Sequence, residues 1–266
     1  MRLKDYLSVV QYLVICLVAL LGSGLTFYSG FGLGTLLVPV FAFFFPIELA
    51  IALTAIVHFL NNLFKLVLVG KSIDRAVLLR FGLPAIICSF IGAYLLSLIT
   101  GMQPLYEYHA FDRQLAVTPV KLLIAILLAV FALIDLVPGL GKLSFPQKYL
   151  PLGGALSGFF GGLSGNQGAL RSAFLIRANL SKEVFIATGV AIAVLIDIAR
   201  LSIYSGKIIG QSGAFDYNLI IVATLSAFLG AYLGSKLLKK VTIKALQLVV
   251  GLTLLAFAFL LGFGVI

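Results

Sequence analysis

Two short stretches of this 266-residue chain set glycine, serine and polar side chains inside otherwise apolar surroundings. The first reads Ser29-Gly30-Phe31-Gly32-Leu33-Gly34 and the second Gly161-Gly162-Leu163-Ser164-Gly165-Asn166-Gln167-Gly168. A helix that starts at such a break exposes backbone N–H groups without an intrahelical partner, together with the positive end of its dipole. Glycine lets the backbone turn sharply and lets a ligand approach closely. Two such helix starts facing each other make an anion site. The residues expected to line it are Ser29, Gly30, Gly32, Gly34, Ser164, Gly165, Asn166, Gln167 and Gly168. Arg171 lies one turn past the second break; it either offers a forked pair of hydrogen bonds to an oxyanion or reaches toward the interface. Glycine clusters also serve close helix packing. The duplication of the break and the polar Asn166-Gln167 favour binding.

A second set of polar residues sits on longer apolar runs: Thr54, His58, Asn61 and Asn62 on one, Thr188 and Asp197 on another. Thr54 and Thr188 occupy matching positions, where a hydroxyl either lines a pathway or bonds back to its own helix. His58 and Asp197 are candidates for carrying a proton, although Asp197 and Arg200, three residues apart, are also placed to neutralise each other. Neither set has metal-ligand spacing, and no metal or cofactor is expected. Cys16 and Cys88 lie within apolar runs and read as packing residues.

The elements that must position these groups are membrane helices. Hydrophobic residues make up 62% of the chain and charged residues 11%, against roughly 45–50% and about 25% in soluble domains. Such a chain cannot cover its own core with polar surface. A bilayer core takes about 20 residues per helix, so the chain has room for about eight to ten segments. Runs at 47–69, 76–100, 117–138, 183–206, 217–238 and 243–264 are long enough to span. The remaining runs form two pairs broken at glycine and serine, 7–28 with 31–45 and 150–163 with 167–177. The first run follows basic residues as a secretory signal would, yet the repeat gives it a counterpart, so it is expected to be retained. The excess of 19 basic over 9 acidic residues lies largely in short loops, where it reports topology rather than nucleic-acid binding.

An internal repeat organises these runs. Phe90-Ile91-Gly92-Ala93-Tyr94-Leu95-Leu96-Ser97 recurs as Phe228-Leu229-Gly230-Ala231-Tyr232-Leu233-Gly234-Ser235, and Ser29-Gly30 recurs 135 residues later as Ser164-Gly165. The expected halves are 1–138 and 150–266, joined by a cytoplasmic linker at 139–149, each a broken hairpin followed by three spanning helices. Residues 101–116 are expected to form an interfacial loop. Assigning the basic residues to sides gives thirteen cytoplasmic against six outside; Lys65 and Arg171 are counted inside and Arg200 outside. Both termini then lie outside the plasma membrane, and the halves enter from opposite faces. The expected fold is an all-α polytopic membrane protein built from two inverted repeats.

The Ser-Gly break followed by Leu36-Leu37-Val38-Pro39, its repeat in the second half, and the Gly-Ala-Tyr-Leu helices resemble the sulfite exporter TauE/SafE family over nearly the whole chain. The resemblance implies a secondary transporter of sulfite or a small organosulfonate, whose partners are that anion and the lipid bilayer, with no nucleic acid. A passive anion channel would share the fold. An intramembrane serine protease is the third reading, from Gly162-Leu163-Ser164-Gly165 with His58 and Asn62. A nucleophilic serine needs a base, however, and no histidine follows Ser164. The chain is therefore not expected to be an enzyme.

Overall fold

The computed structural model describes residues 3–27, 32–110, 112–137, 139, 144–210, 216–237 and 243–266, with side chains described for these except at 3–7, 206–210, 237 and 243–247. Ser29 and Gly30 of the first break lie outside the described residues. The helices in chain order are α1 (Leu3–Leu25), α2 (Leu33–Ala42), α3 (Ile47–Val69), α4 (Arg75–Ile99), α5 (Pro119–Leu136), α6 (Leu150–Ser164), α7 (Gly168–Leu175), α8 (Lys182–Gly210), α9 (Tyr217–Leu237) and α10 (Ile243–Gly262). The sequence-based breaks coincide with helix ends: α1 stops before the first and α2 starts within it, while α6 and α7 flank the second. With 10 and 8 residues, α2 and α7 are about 15 and 12 Å long, half the hydrocarbon thickness or less. Six helices are long and apolar enough to cross a membrane, and α1 is one of them; the apolar part described for α10 is the shorter Leu248–Gly262.

Local signals fix several helix starts. Asp74 accepts from the Val77 N–H at 2.8 Å and caps α4. Thr118 accepts from the Lys121 N–H at 3.2 Å and Pro119 opens α5, where its missing N–H has no intrahelical partner to lose. The segment expected as an interfacial loop is instead a hairpin of two strands, β1 (Tyr106–Ala110) and β2 (Arg113–Val117), in antiparallel register from Tyr106↔Val117 to Ala110↔Arg113. Cross-strand pairs of aromatic and branched side chains stabilise such a ribbon, and the Tyr108 hydroxyl donates to the Phe263 carbonyl at 2.6 Å, tying it to the end of α10.

Glycines decide how the helices pack. On α6, Gly154, Gly158 and Gly162 abut in turn the carbonyls of Phe81, Ala85 and Ser89 on α4, so closely that a Cβ would fall on each oxygen. On α9, Gly230 and Gly234 meet the carbonyls of Leu20 and Gly24 on α1 in the same way. Because both members of each pair advance together along the chain, α4 runs parallel to α6 and α9 parallel to α1. Gly92 and Gly230, equivalent positions of the duplicated segment, each press on the first helix of the other hairpin, at Phe159 and Leu20 respectively. Small residues of this kind let helix backbones approach closely in lipid. Contacts of Gly251 with Leu136 and of Gly262 with Ala125 make α5 and α10 antiparallel.

The distribution of polarity is that of a membrane protein. Leu13, Leu17, Leu83, Ile87, Leu225 and Leu252 are more than half exposed, whereas Ser23, His58, Asn61, Asn62, Asp197 and Arg200 are buried. The apolar outer surface suits hydrocarbon, and a charged cluster of the polar interior, His58, Asp197 and Arg200, lies at the crossing of α3 and α8.

Candidate functional site

The two breaks meet at that crossing. Gly34 lies in the first turn of α2, and a Cβ there would stand 3.5 Å from the Gly165 carbonyl oxygen, 3.6 Å from His58 Cδ2 and 3.7 Å from Thr54 Cγ2. Gly32, at the N-cap of α2, faces His58 Nε2, which would be 3.2 Å from its Cβ. Gly165 closes α6 in the left-handed region with φ of +80°, and a Cβ on it would meet Arg200 Nη1 at 2.7 Å. No side chain caps α2 or α7. Around these helix starts, buried polar atoms lack hydrogen-bond partners: both amide atoms of Asn166, Gln167 Nε2, Thr54 Oγ1 and Arg200 Nη1. Such groups are costly to bury and are rare in folded proteins. Their concentration at one place marks a polar site.

A charge cluster braces the site from α3 and α8. His58 Nδ1 is 2.7 Å from Asp197 Oδ2, and Asn62 Nδ2 donates to the same oxygen at 3.2 Å. Arg200 donates to Asp197 Oδ1 through Nε at 2.9 Å and lies within 2.7 Å of it through Nη2. The i, i+3 pairing expected of Asp197 and Arg200 is present, extended by His58 and Asn62. Arg200, counted above as an outside charge, is fully buried, because its carboxylate partner lies inside the bundle.

Arg171 is buried and lines a cavity with Thr26, Gly32, His58, Asn62 and Lys65. The cavity has about 430 Å³ of empty space, its open mouth included. Arg171 Nη1 donates to Gln167 Oε1 at 3.4 Å, and Gly189 on α8 leaves room beside its Nε. It therefore faces the cavity and not the interface. Lys65, assigned by the charge count to the cytoplasmic side, is only 4% exposed and sits with its ammonium 5.6 Å from the centroid of the Phe27 ring. A sequence signal existed for it. Thr54, His58, Asn61, Asn62 and Lys65 recur at helical spacing, three, four and seven apart, and form one polar stripe along α3.

Other expected residues are placed differently. Thr188 accepts from the Asp74 N–H at 2.9 Å and so braces the start of α4 instead of the breaks. Asn61 accepts from the Ser23 hydroxyl at 3.0 Å. Ser164 donates to the Phe160 carbonyl of its own helix at 3.0 Å, and its oxygen accepts from the Asn166 N–H at 3.4 Å.

A family model described as Sulfite exporter TauE/SafE matches residues 15–261. No curated protein and no solved structure matches the chain. The matched span takes in both breaks, the α3–α8 crossing and parts of all ten helices described above. With its polar interior, its apolar exterior and that match, the chain belongs to the sulfite exporter TauE/SafE family and is an integral membrane transporter for sulfur-containing anions.

Proposed function

We propose that the protein is a secondary transporter that carries sulfite or a small organosulfonate, bound near the midplane between the two glycine breaks. The observation that carries this reading is the meeting of Gly34 and Gly165 beside the cavity that Arg171 lines. In this reading the starts of α2 and α7 both direct N–H groups and dipole ends to the bound anion. Gly32, Gly34, Gly165 and Gly168 give backbone access, with Ser29 and Gly30 completing the first break. Ser164, Asn166 and Gln167 supply polar groups, and Arg171 the forked cation. Thr54 and Asn62 line the approach, while the buried His58–Asp197 pair couples anion movement to a proton.

Two inverted halves, 1–138 and 150–266, joined by a cytoplasmic linker at 139–149, suit this mechanism, with both termini outside the plasma membrane. Exchange of partners supports the relation: α4 packs on α6 as α9 packs on α1. Asn62 and Asp197, 135 residues apart, bond to each other, as equivalent positions on an axis between halves would. The antiparallel α5–α10 pair also fits an axis in the membrane plane. Rocking of one half against the other would expose the site alternately. Abutment of the breaks favours a carrier over a passive channel.

Thermal unfolding of the purified protein with sulfite, sulfate, thiosulfate, sulfoacetate, taurine or chloride tests the reading. Sulfur oxyanions should raise Tm above the chloride control. Equal effects from all the salts would reduce the site to general ionic strength and overturn it.

A further inference from the structure

Resting on the anion site proposed above, we infer that Lys65 selects a doubly charged anion over a singly charged one. Lys65 is buried on the cavity wall and, among the described residues, forms no ion pair. Its contact with the Phe27 ring holds the ammonium in place without cancelling its charge. Among the described residues, no carboxylate lines the cavity. Asp197, behind the wall, has Oδ2 engaged by His58 and Asn62 and Oδ1 by Arg200. Asp197 and Arg200 offset each other as an ion pair. Lys65 and Arg171 place two further positive charges on the wall.

A buried cation is costly unless an opposite charge accompanies it. Two cations converging on one cavity complement a dianion, the charge state of fully ionised sulfite. The two residues divide the work. The planar guanidinium of Arg171 fixes orientation through its fork, whereas the ammonium of Lys65 acts as a compact point charge whose three donors rotate to suit the ligand. Lys65 is thus a specificity residue: its loss lowers affinity according to the charge of the anion and not its shape.

Binding of thiosulfate and of methanesulfonate to the purified full-length protein, measured by calorimetry at mildly acidic pH, tests this. Both present three oxygens on one tetrahedral sulfur, but thiosulfate is a dianion there and methanesulfonate a monoanion. The wild type should prefer thiosulfate by about tenfold or more. Lys65→Gln should bring the two within about threefold by weakening thiosulfate, and Lys65→Arg should keep the preference. Lys65→Met, which keeps the chain length and the packing on Phe27 but not the charge, should erode it likewise, and decides the matter if Lys65→Gln is not monodisperse. An unchanged ratio in Lys65→Gln, with both anions still bound, would overturn the assignment of Lys65 alone. Absence of binding of either anion to the wild type would overturn the anion site, and this assignment with it.

Discussion

Asp197 holds donors from two helices, and the consequences of removing each partner differ. Asp197→Asn leaves Arg200 buried without its counter-charge, and losing one partner of a buried pair costs about 3–5 kcal/mol; the variant should unfold at a clearly lower temperature in detergent. His58→Gln keeps a side chain able to hydrogen-bond Asp197 and should fold normally. If His58 carries the coupled proton, that variant should show a flattened pH dependence of transport, and an unaltered profile would remove His58 from coupling. Arg171→Lys should stay folded while sulfite binds about tenfold more weakly, since one charge-assisted hydrogen bond is worth about 1.5–3 kcal/mol. Unchanged affinity in calorimetry would make Arg171 a structural residue. The polar groups at the breaks were legible in the sequence because glycine and serine interrupt an apolar background. The burial of Arg200 was not, and that of Lys65 was readable only from its place in the polar stripe of α3, because a count of charges by side assigns both to an interface. Spacing pairs Arg200 with Asp197, but the burial of that pair depends on His58 and Asn62 of α3, which a linear reading does not bring to it.

Glycines of two kinds occur along these helices, and their substitution should separate folding from transport. Gly158 rests against the Ala85 carbonyl with no room for a methyl group. Gly158→Ala should therefore force α6 off α4, and overpacking typically costs about 1–3 kcal/mol, more than the ~1 kcal/mol gained in helix propensity. Its Tm and yield should fall. At Gly34 the neighbours would stand at ordinary van der Waals distances from a methyl group, so Gly34→Ala should be monodisperse but should lose saturable sulfite transport, the added methyl filling the seam between the breaks. Retained transport would remove that seam from the site. The half-length helices α2 and α7 were readable from the lengths of the broken runs. The β1–β2 hairpin was not: its strands are five residues each, too short for their alternation to stand out beside Gly101 and Pro104.

At the scale of the molecule, the repeat predicts which helices are equivalent but not which ones touch. The crossed packing of α4 on α6 and α9 on α1 depends on glycines in register with carbonyls of a distant segment, and only the folded chain brings them together. Moving Lys65, Arg171 and Arg200 from the loops to the interior changes the basic count from thirteen against six to eleven against five, so the asymmetry survives. With Cys16 and Cys88 replaced, a cysteine at Lys71 should react with an impermeant reagent only from the cytoplasmic side and one at Gln114 only from outside; the same side for both would break the proposed orientation. The most direct test of the central claim is sulfite efflux from proteoliposomes, with and without sulfite on the far side, for the wild type and Arg171→Gln. A carrier with its site between the breaks predicts saturable flux that is accelerated by sulfite on the far side and lost in the variant. Flux that rises linearly with concentration, ignores sulfite on the far side and persists in Arg171→Gln would contradict it.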